Sequence, residues 1–173
     1  MLVLTGDRPM LVGVFQNKSA EEINTIAASV PLDIVQLHGE EGWEIAQQIQ
    51  YPVLRSVRVD PSSATVDSIL SELKPDLVAG VLLDTKSAAN GGSGQTFDWK
   101  IAAAITQQHQ VPVFLAGGLE PTNIRQAVQL VQPLAVDVAS GVEHTDSSRV
   151  LQKNHTKVQQ FIASAKSAAS HSQ

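Results

Sequence analysis

Two carboxylates, an imidazole and two small-residue turns stand where short apolar runs stop. His38 and Gly39 close DIVQLH, Asp84 closes VAGVLLD, Gly117 and Gly118 close VPVFLAG, and Asp137 interrupts PLAVDVA just ahead of Ser140 and Gly141. An aspartate at the partly desolvated tip of an apolar strand is a candidate general acid, because burial disfavours its charged form. The alternative is an aspartate that bonds to its own loop, which is common at strand ends. His38 divides the same way, between a structural hydrogen-bonding group and a catalytic or ligand-binding one. Gly117 and Gly118 let the backbone approach a ligand closely, and the helix start that follows offers free N–H groups to an anion. A tight βα turn is the alternative for one such pair. A second small-residue turn at Ser140 and Gly141, on the neighbouring strand end, shifts the balance toward a phosphate. Asp137 demands a partner: inside a fold its carboxylate loses hydration unless it meets a ligand hydroxyl, a lysine or a backbone N–H.

The chain has no cysteine, which excludes disulfides, thiolate metal sites and a cysteine nucleophile within its 173 residues. No second histidine lies at helical metal spacing from His38. His109, His144, His155 and His171 read as surface or tail positions, so no metal is assigned. A net charge of −5 gives nucleic acid or an anionic membrane no general reason to bind. No apolar run approaches the roughly 18–20 residues that cross a bilayer, and MLVLTGDRPM lacks the pattern of a signal peptide. The expectation is a cytoplasmic protein with one local anion site for a small phosphorylated molecule.

These groups need elements that bring strand ends together. Six β-branched runs read as buried strands: LVGVF (11–15), DIVQLH (33–38), VLRSVRV (53–59), VAGVLLD (78–84), VPVFLAG (111–117) and PLAVDVA (133–139). Between them lie segments with helical spacing, among them the capping-box pattern Ser19-Ala-Glu-Glu22, TVDSILSEL, DWKIAAAITQQ and PTNIRQAVQLV. The alternation, with no sign of a hairpin, predicts βαβ units and a parallel sheet in one domain. A last helix near 148–166 gives way to a disordered tail over 167–173. Within the strands, Gln36 and His38 alternate with Val35 and Leu37, and Asp137 lies between Val136 and Val138. One polar and one apolar face per strand favours a (β/α)8 TIM barrel over an open sheet covered on both sides. A full barrel has eight strands over about 250 residues, and six runs are present.

Taken together, VGVFQN, DIVQLHGEE, LLDTKSAANGGSGQTFDW, FLAGGLEPTNI and AVDVASGVE closely resemble the phosphoribosylanthranilate isomerase family of tryptophan biosynthesis, in order and over nearly the whole chain. The resemblance implies a (β/α)8 barrel and a reaction without metal or organic cofactor. That reaction is the Amadori rearrangement of N-(5-phosphoribosyl)anthranilate to 1-(2-carboxyphenylamino)-1-deoxyribulose 5-phosphate. It implies that Asp84 protonates the furanose ring oxygen so that the ring opens to a Schiff base, and that Gly117, Gly118, Ser140 and Gly141 bind the phosphate. Asp137 would lie near the sugar hydroxyls and His38 near the anthranilate end. The glycine-rich segment after Asp84 would fold over the substrate as a lid, anchored by Phe97 and Trp99.

The departures from the family pattern concern the first two strands. A Lys-Ile-Cys-Gly type motif, whose cysteine removes the C2′ proton, and a Ser-Pro-Arg type motif, whose arginine meets the anthranilate carboxylate, are not in this sequence, and LVGVFQN at 11–17 resembles the family's third strand. The expectation is an N-terminally truncated barrel over 1–173, with about six of eight βα units and no turnover on its own. Family members are also fused to other tryptophan-pathway enzymes, notably in fungi, and such a multifunctional parent is one expected source. The competing reading is a non-catalytic phosphate-binding fragment, or a subunit completed by a partner chain. A third, indole-glycerol-phosphate synthase, would need a lysine acid where Asp84 stands.

Overall fold

The computed structural model describes residues 8–86, 96–108, 110–145 and 151–169. The six apolar runs form β1 (Val12–Phe15), β2 (Ile34–Leu37), β3 (Val53–Val59), β4 (Gly80–Thr85), β5 (Val113–Leu115) and β6 (Ala135–Val136). All pair in parallel and in sequence order. Each return path crosses over on a helix or a 3-10 turn. These are α1 (Ala20–Ser29), a 3-10 turn at Trp43–Gln48, α2 (Val66–Glu72), α3 (Trp99–Gln107) and α4 (Ile124–Val131), with α5 (His155–Ala169) closing the chain.

The helix starts follow their local chemistry. Ser19 Oγ accepts from Glu22 N at 3.2 Å while Glu22 Oε2 accepts from Ser19 N at 3.1 Å, the reciprocal pair anticipated at α1. Thr65 and Ser68 repeat it at α2, and Asp98 caps α3 through Lys100 N at 2.9 Å. Each cap fixes the point where a strand's loop turns back, and so sets the length of the loop above it.

Register separates two faces. Val57↔Leu83 and Val59↔Thr85 are neighbours on the side covered by helices, whereas Ser56↔Leu82 and Arg58↔Asp84 share the other. Val57, Val59, Val81, Leu83, Val113 and Leu115 pack with the helices in one cluster, and Phe15, Val35, Leu37 and Val53 pack with Ile23 and Ala27 of α1 in another. The inner face is apolar at one end, where Ile34, Leu54, Leu82 and Ala116 cluster with Met10 and Phe114. Toward the C-terminal strand ends it becomes polar. That gradient is the layered interior of a barrel, built here from six strands.

Three expectations are corrected. A hairpin does occur: β7 (Glu143–Thr145) and β8 (Leu151–Lys153) pair antiparallel outside the main sheet. The last helix begins at His155, not near 148, because the Asn154 side chain accepts from Lys157 N at 3.1 Å and fixes the start there. It also runs on to Ala169, with Ala168 fully buried, so residues 167–169 of the expected tail are helical. Residues 170–173 lie outside the described part.

Candidate active site

His38 leaves β2 and Asp84 lies in β4, and their side chains meet at the C-terminal end of the inner face, His38 Nε2 to Asp84 Oδ2 at 3.6 Å. Two buried polar residues stand beneath them. Gln36 Nε2 lies 3.0 Å from His38 Nδ1 and donates to Ser56 Oγ at 3.4 Å, and Ser56 Oγ is 2.7 Å from the same Nδ1. An amide NH₂ can only donate, so in this orientation Nδ1 is an acceptor. The proton of neutral His38 then sits on Nε2, facing Asp84. Burial pushes the Asp84 carboxyl above its ordinary value; His38 opposes the rise, as does the bond to the Thr85 backbone, and the charge of Asp137 adds to it. A carboxyl raised by burial at the end of a strand is suited to act as a general acid.

The loops carrying these groups are pinned by a buried ion pair. Arg55, from the helix-covered face of β3, donates to Glu41 Oε2 at 2.9 Å and to the Glu41 carbonyl at 2.6 Å, and stacks over Trp43 at 5.7 Å. The Glu41 side chain is 4% exposed. Its carboxylate also accepts from Asn17 N at 2.6 Å and Gly39 N at 2.9 Å. Burial pushes Glu41 up, but these amide bonds and Arg55 outweigh it and leave the carboxyl below its ordinary value. Glu41 thereby ties the loop after β1 to the loop after β2. Gly39 is required at that junction: a Cβ there would lie 2.6 Å from Asn17 Oδ1 and 2.8 Å from Asn17 N.

The two small-residue turns come together on the opposite side of the mouth. Gly117 and Gly118 have φ of +84° and +66°, and their amides donate to no partner among the described residues. A Cβ on Gly117 would collide with Thr85 Oγ1 and Thr85 N, so the turn lies against the end of β4. Asn123 braces it, donating to the Gly118 carbonyl and accepting from Glu120 N, both at 2.9 Å. Ser140 and Gly141 form a 3-10 turn, Ser140–Val142, and a Cβ on Gly141 would collide with the Leu119 carbonyl. The two turns are therefore packed against each other, with orphan N–H groups of the kind that hold a phosphate.

The family model for N-(5'phosphoribosyl)anthranilate (PRA) isomerase matches residues 2–164. The chain belongs to this isomerase family. It is 42% identical over 167 residues to the N-(5'-phosphoribosyl)anthranilate isomerase of Dehalococcoides mccartyi, covering 93% of this chain and 73% of that protein. It is 41% identical over 173 residues to a multifunctional tryptophan biosynthesis protein of Phycomyces blakesleeanus, covering 92% of this chain and 22% of that one. The crystal structure of phosphoribosyl anthranilate isomerase from Thermotoga maritima superposes with a TM-score of 0.75 at 38% identity, covering 90% of this chain and 72% of that chain. Six consecutive βα units of the (β/α)8 barrel account for the open sheet.

In the frame of the isomerase family, the structure brings His38 and Asp84 together and gathers Gly117, Gly118, Ser140 and Gly141 at one edge of the mouth. Asp137 differs from expectation. It follows β6, its N–H bonds to the Leu115 carbonyl at 2.9 Å, and its side chain is exposed, so it needs no buried partner. The segment expected as a lid falls mostly on residues 87–95, outside the described part. Its far end is anchored: Phe97 is 3% exposed and its N–H reaches Thr85 Oγ1 at 3.3 Å. Sequence reasoning put Gln36 on the polar face without giving it a role, and missed Ser56, Glu41, Arg55 and Arg58. Arg58 caps the rim, donating to the His38 carbonyl at 3.3 Å and to Glu40 Oε1 at 3.1 Å. The available signal was polarity inside apolar runs, Arg55 and Ser56 within VLRSVRV above all.

Proposed function

We propose that this chain carries the acid and phosphate-binding parts of N-(5'-phosphoribosyl)anthranilate isomerase. The observation that carries the reading is the 3.6 Å pair of His38 and Asp84, whose carboxyl is raised by burial, on the same rim as two apposed small-residue turns. The substrate's phosphate would dock on the N–H groups of Gly117, Gly118, Ser140 and Gly141. Asp137, exposed beside Asp84, would accept from sugar hydroxyls, and His38 would face the anthranilate end. Asp84 then gives its proton to the furanose ring oxygen. The C1′–O bond breaks, the nitrogen lone pair forms the C1′=N bond, and the open Schiff base must lose a proton from C2′ before it can become the ketose product.

That second proton transfer has no assigned residue here. The family's base is a cysteine and this sequence has none, so the 173-residue chain alone binds without turnover. We place it in the cytoplasm and, given the multifunctional Phycomyces relative, in a parent fused to other enzymes of tryptophan synthesis. A subunit completed by a partner chain is the second reading, favoured by the apolar edge at Val12 and Val14, which are 42% and 59% exposed. The test is binding of the product 1-(2-carboxyphenylamino)-1-deoxyribulose 5-phosphate to the chain by calorimetry. Saturable binding displaced by inorganic phosphate, with no turnover of substrate, is the expected result. No binding would defeat the proposal, and turnover by the chain alone would defeat the claim that its base is missing.

A further inference from the structure

The turn that ends the main sheet is held from behind. Lys153, the last residue of β8, donates from Nζ to the Ala139 carbonyl at 2.7 Å and to Glu143 Oε1 at 2.7 Å. Lys157 Nζ adds a bond to the Glu143 carbonyl at 3.0 Å, so the hairpin is fastened to α5 as well. Ala139 has φ −114° and ψ −80° and immediately precedes the Ser140–Val142 turn. The Ser140 amide donates to no partner among the described residues.

A trans peptide directs its carbonyl and the following N–H to opposite sides, and no described peptide bond is cis. An ammonium fixed on the Ala139 carbonyl therefore fixes the Ser140 N–H on the side away from the hairpin. It also polarises that peptide, which makes its N–H a stronger donor.

We propose that Lys153 is a positioning residue of the phosphate site. It does not touch the phosphate; it sets the direction and strength of the Ser140 amide that does. The proposal rests on the reading of the two turns as a phosphate site. Glu143 shares the same ammonium and offsets part of its charge, so the geometric contribution of Lys153 and its electrostatic one respond to different substitutions. Lys153→Met removes both, Lys153→Arg keeps a charged donor, and Glu143→Gln leaves the ammonium on Ala139 while deleting the opposing charge.

The experiment titrates inorganic phosphate into the full chain and these three variants, by calorimetry, with melting temperatures measured without phosphate. Lys153→Met should weaken phosphate by about tenfold, the scale of one hydrogen bond to a charged group. Lys153→Arg should restore most of that loss, and Glu143→Gln should bind phosphate more tightly than the parent. If the parent shows no saturable phosphate binding, the phosphate reading itself fails. If the parent binds and Lys153→Met binds equally well, Lys153 has no positioning role. Should Lys153→Met fail to fold, Glu143→Gln carries the test, and unchanged affinity in that variant overturns the proposal.

Discussion

His38 Nε2 stands 3.6 Å from Asp84 Oδ2, with the two side chains 22% and 26% exposed. The pair is screened enough for burial to raise the Asp84 carboxyl and open enough for a substrate oxygen to reach it. In a form of the enzyme that turns over, Asp84→Asn should lower kcat by roughly 10²–10⁴-fold, the usual worth of general acid catalysis, while KM changes little. Asparagine keeps the shape and loses the proton. Near-parental turnover in steady-state kinetics would remove Asp84 from the mechanism.

The same residue has a stability signature of opposite sign. Its carboxyl is raised in the fold, mainly by burial, so the folded state keeps the proton to a higher pH than the unfolded chain does. The contribution of Asp84 is fully present below the unfolded value, near pH 4 for an aspartate, and is lost as pH rises through the raised folded value. Asp84→Asn should therefore melt higher than the parent at neutral pH, with the difference shrinking below about pH 4. Thermal melts across that range check it; a variant less stable at neutral pH would mean the charged carboxylate is welcome there.

Glu41 behaves in reverse. Its burial is outweighed by two amide donors and Arg55, leaving its carboxyl low. Its stabilisation is present above the unfolded pKa and is lost as pH falls through the depressed folded one. Glu41→Gln strands a buried guanidinium, at a cost of about 3–5 kcal/mol, and frees the loop that carries His38. Urea denaturation at neutral pH reads the loss. A cost below about 1 kcal/mol, the worth of an exposed pair, would show that the pin is not needed.

Much of the fold was legible in the sequence because it depends on local pattern. VLRSVRV predicts β3 residue for residue, and Ser19 with Glu22 marks α1 correctly. β6 shrinks from the expected 133–139 to two residues, because a strand's extent is set by its partner and the three-residue β5 supports pairing only around Ala135 and Val136, flanked by the Leu134 and Asp137 N–H bonds to Val113 and Leu115. The β7–β8 hairpin is three residues a side, too short for a period to register. His38, Asp84 and the glycine turns were visible as types at strand ends. The Arg55–Glu41 pin was not, since its two residues are 14 apart and belong to a strand and a loop. The expected burial of Asp137 failed for a related reason: its exposure depends on what stands beside β6, which no local pattern encodes.

The glycine turns separate binding from folding. Gly118 has a positive φ and an amide with no partner among the described residues, so Gly118→Val should raise KM for the phosphorylated substrate and weaken inhibition by inorganic phosphate, with kcat less affected. Gly117→Ala adds a Cβ against Thr85 at φ +84° and should cost about 1–3 kcal/mol of stability. If both variants keep parental phosphate affinity, the phosphate lies elsewhere.

The open sheet leaves a third kind of evidence at its margins. Val12 and Val14 are 42% and 59% exposed along β1, Leu11 just before it is 43% exposed, and Leu134 is 54% exposed beside β6. Each of these strands pairs with one neighbour among the described residues. A strand edge with apolar side chains is a template for another chain, and a charge on it is the natural deterrent. The 173-residue chain should therefore self-associate as its concentration rises, in light scattering coupled to size exclusion. Val14→Lys places an ammonium on the open inner face of β1, opposite Gln36, at a position already 59% exposed. It should shift the distribution toward monomer without lowering the melting temperature. A parent chain that stays monomeric at every concentration would mean that something else covers this edge.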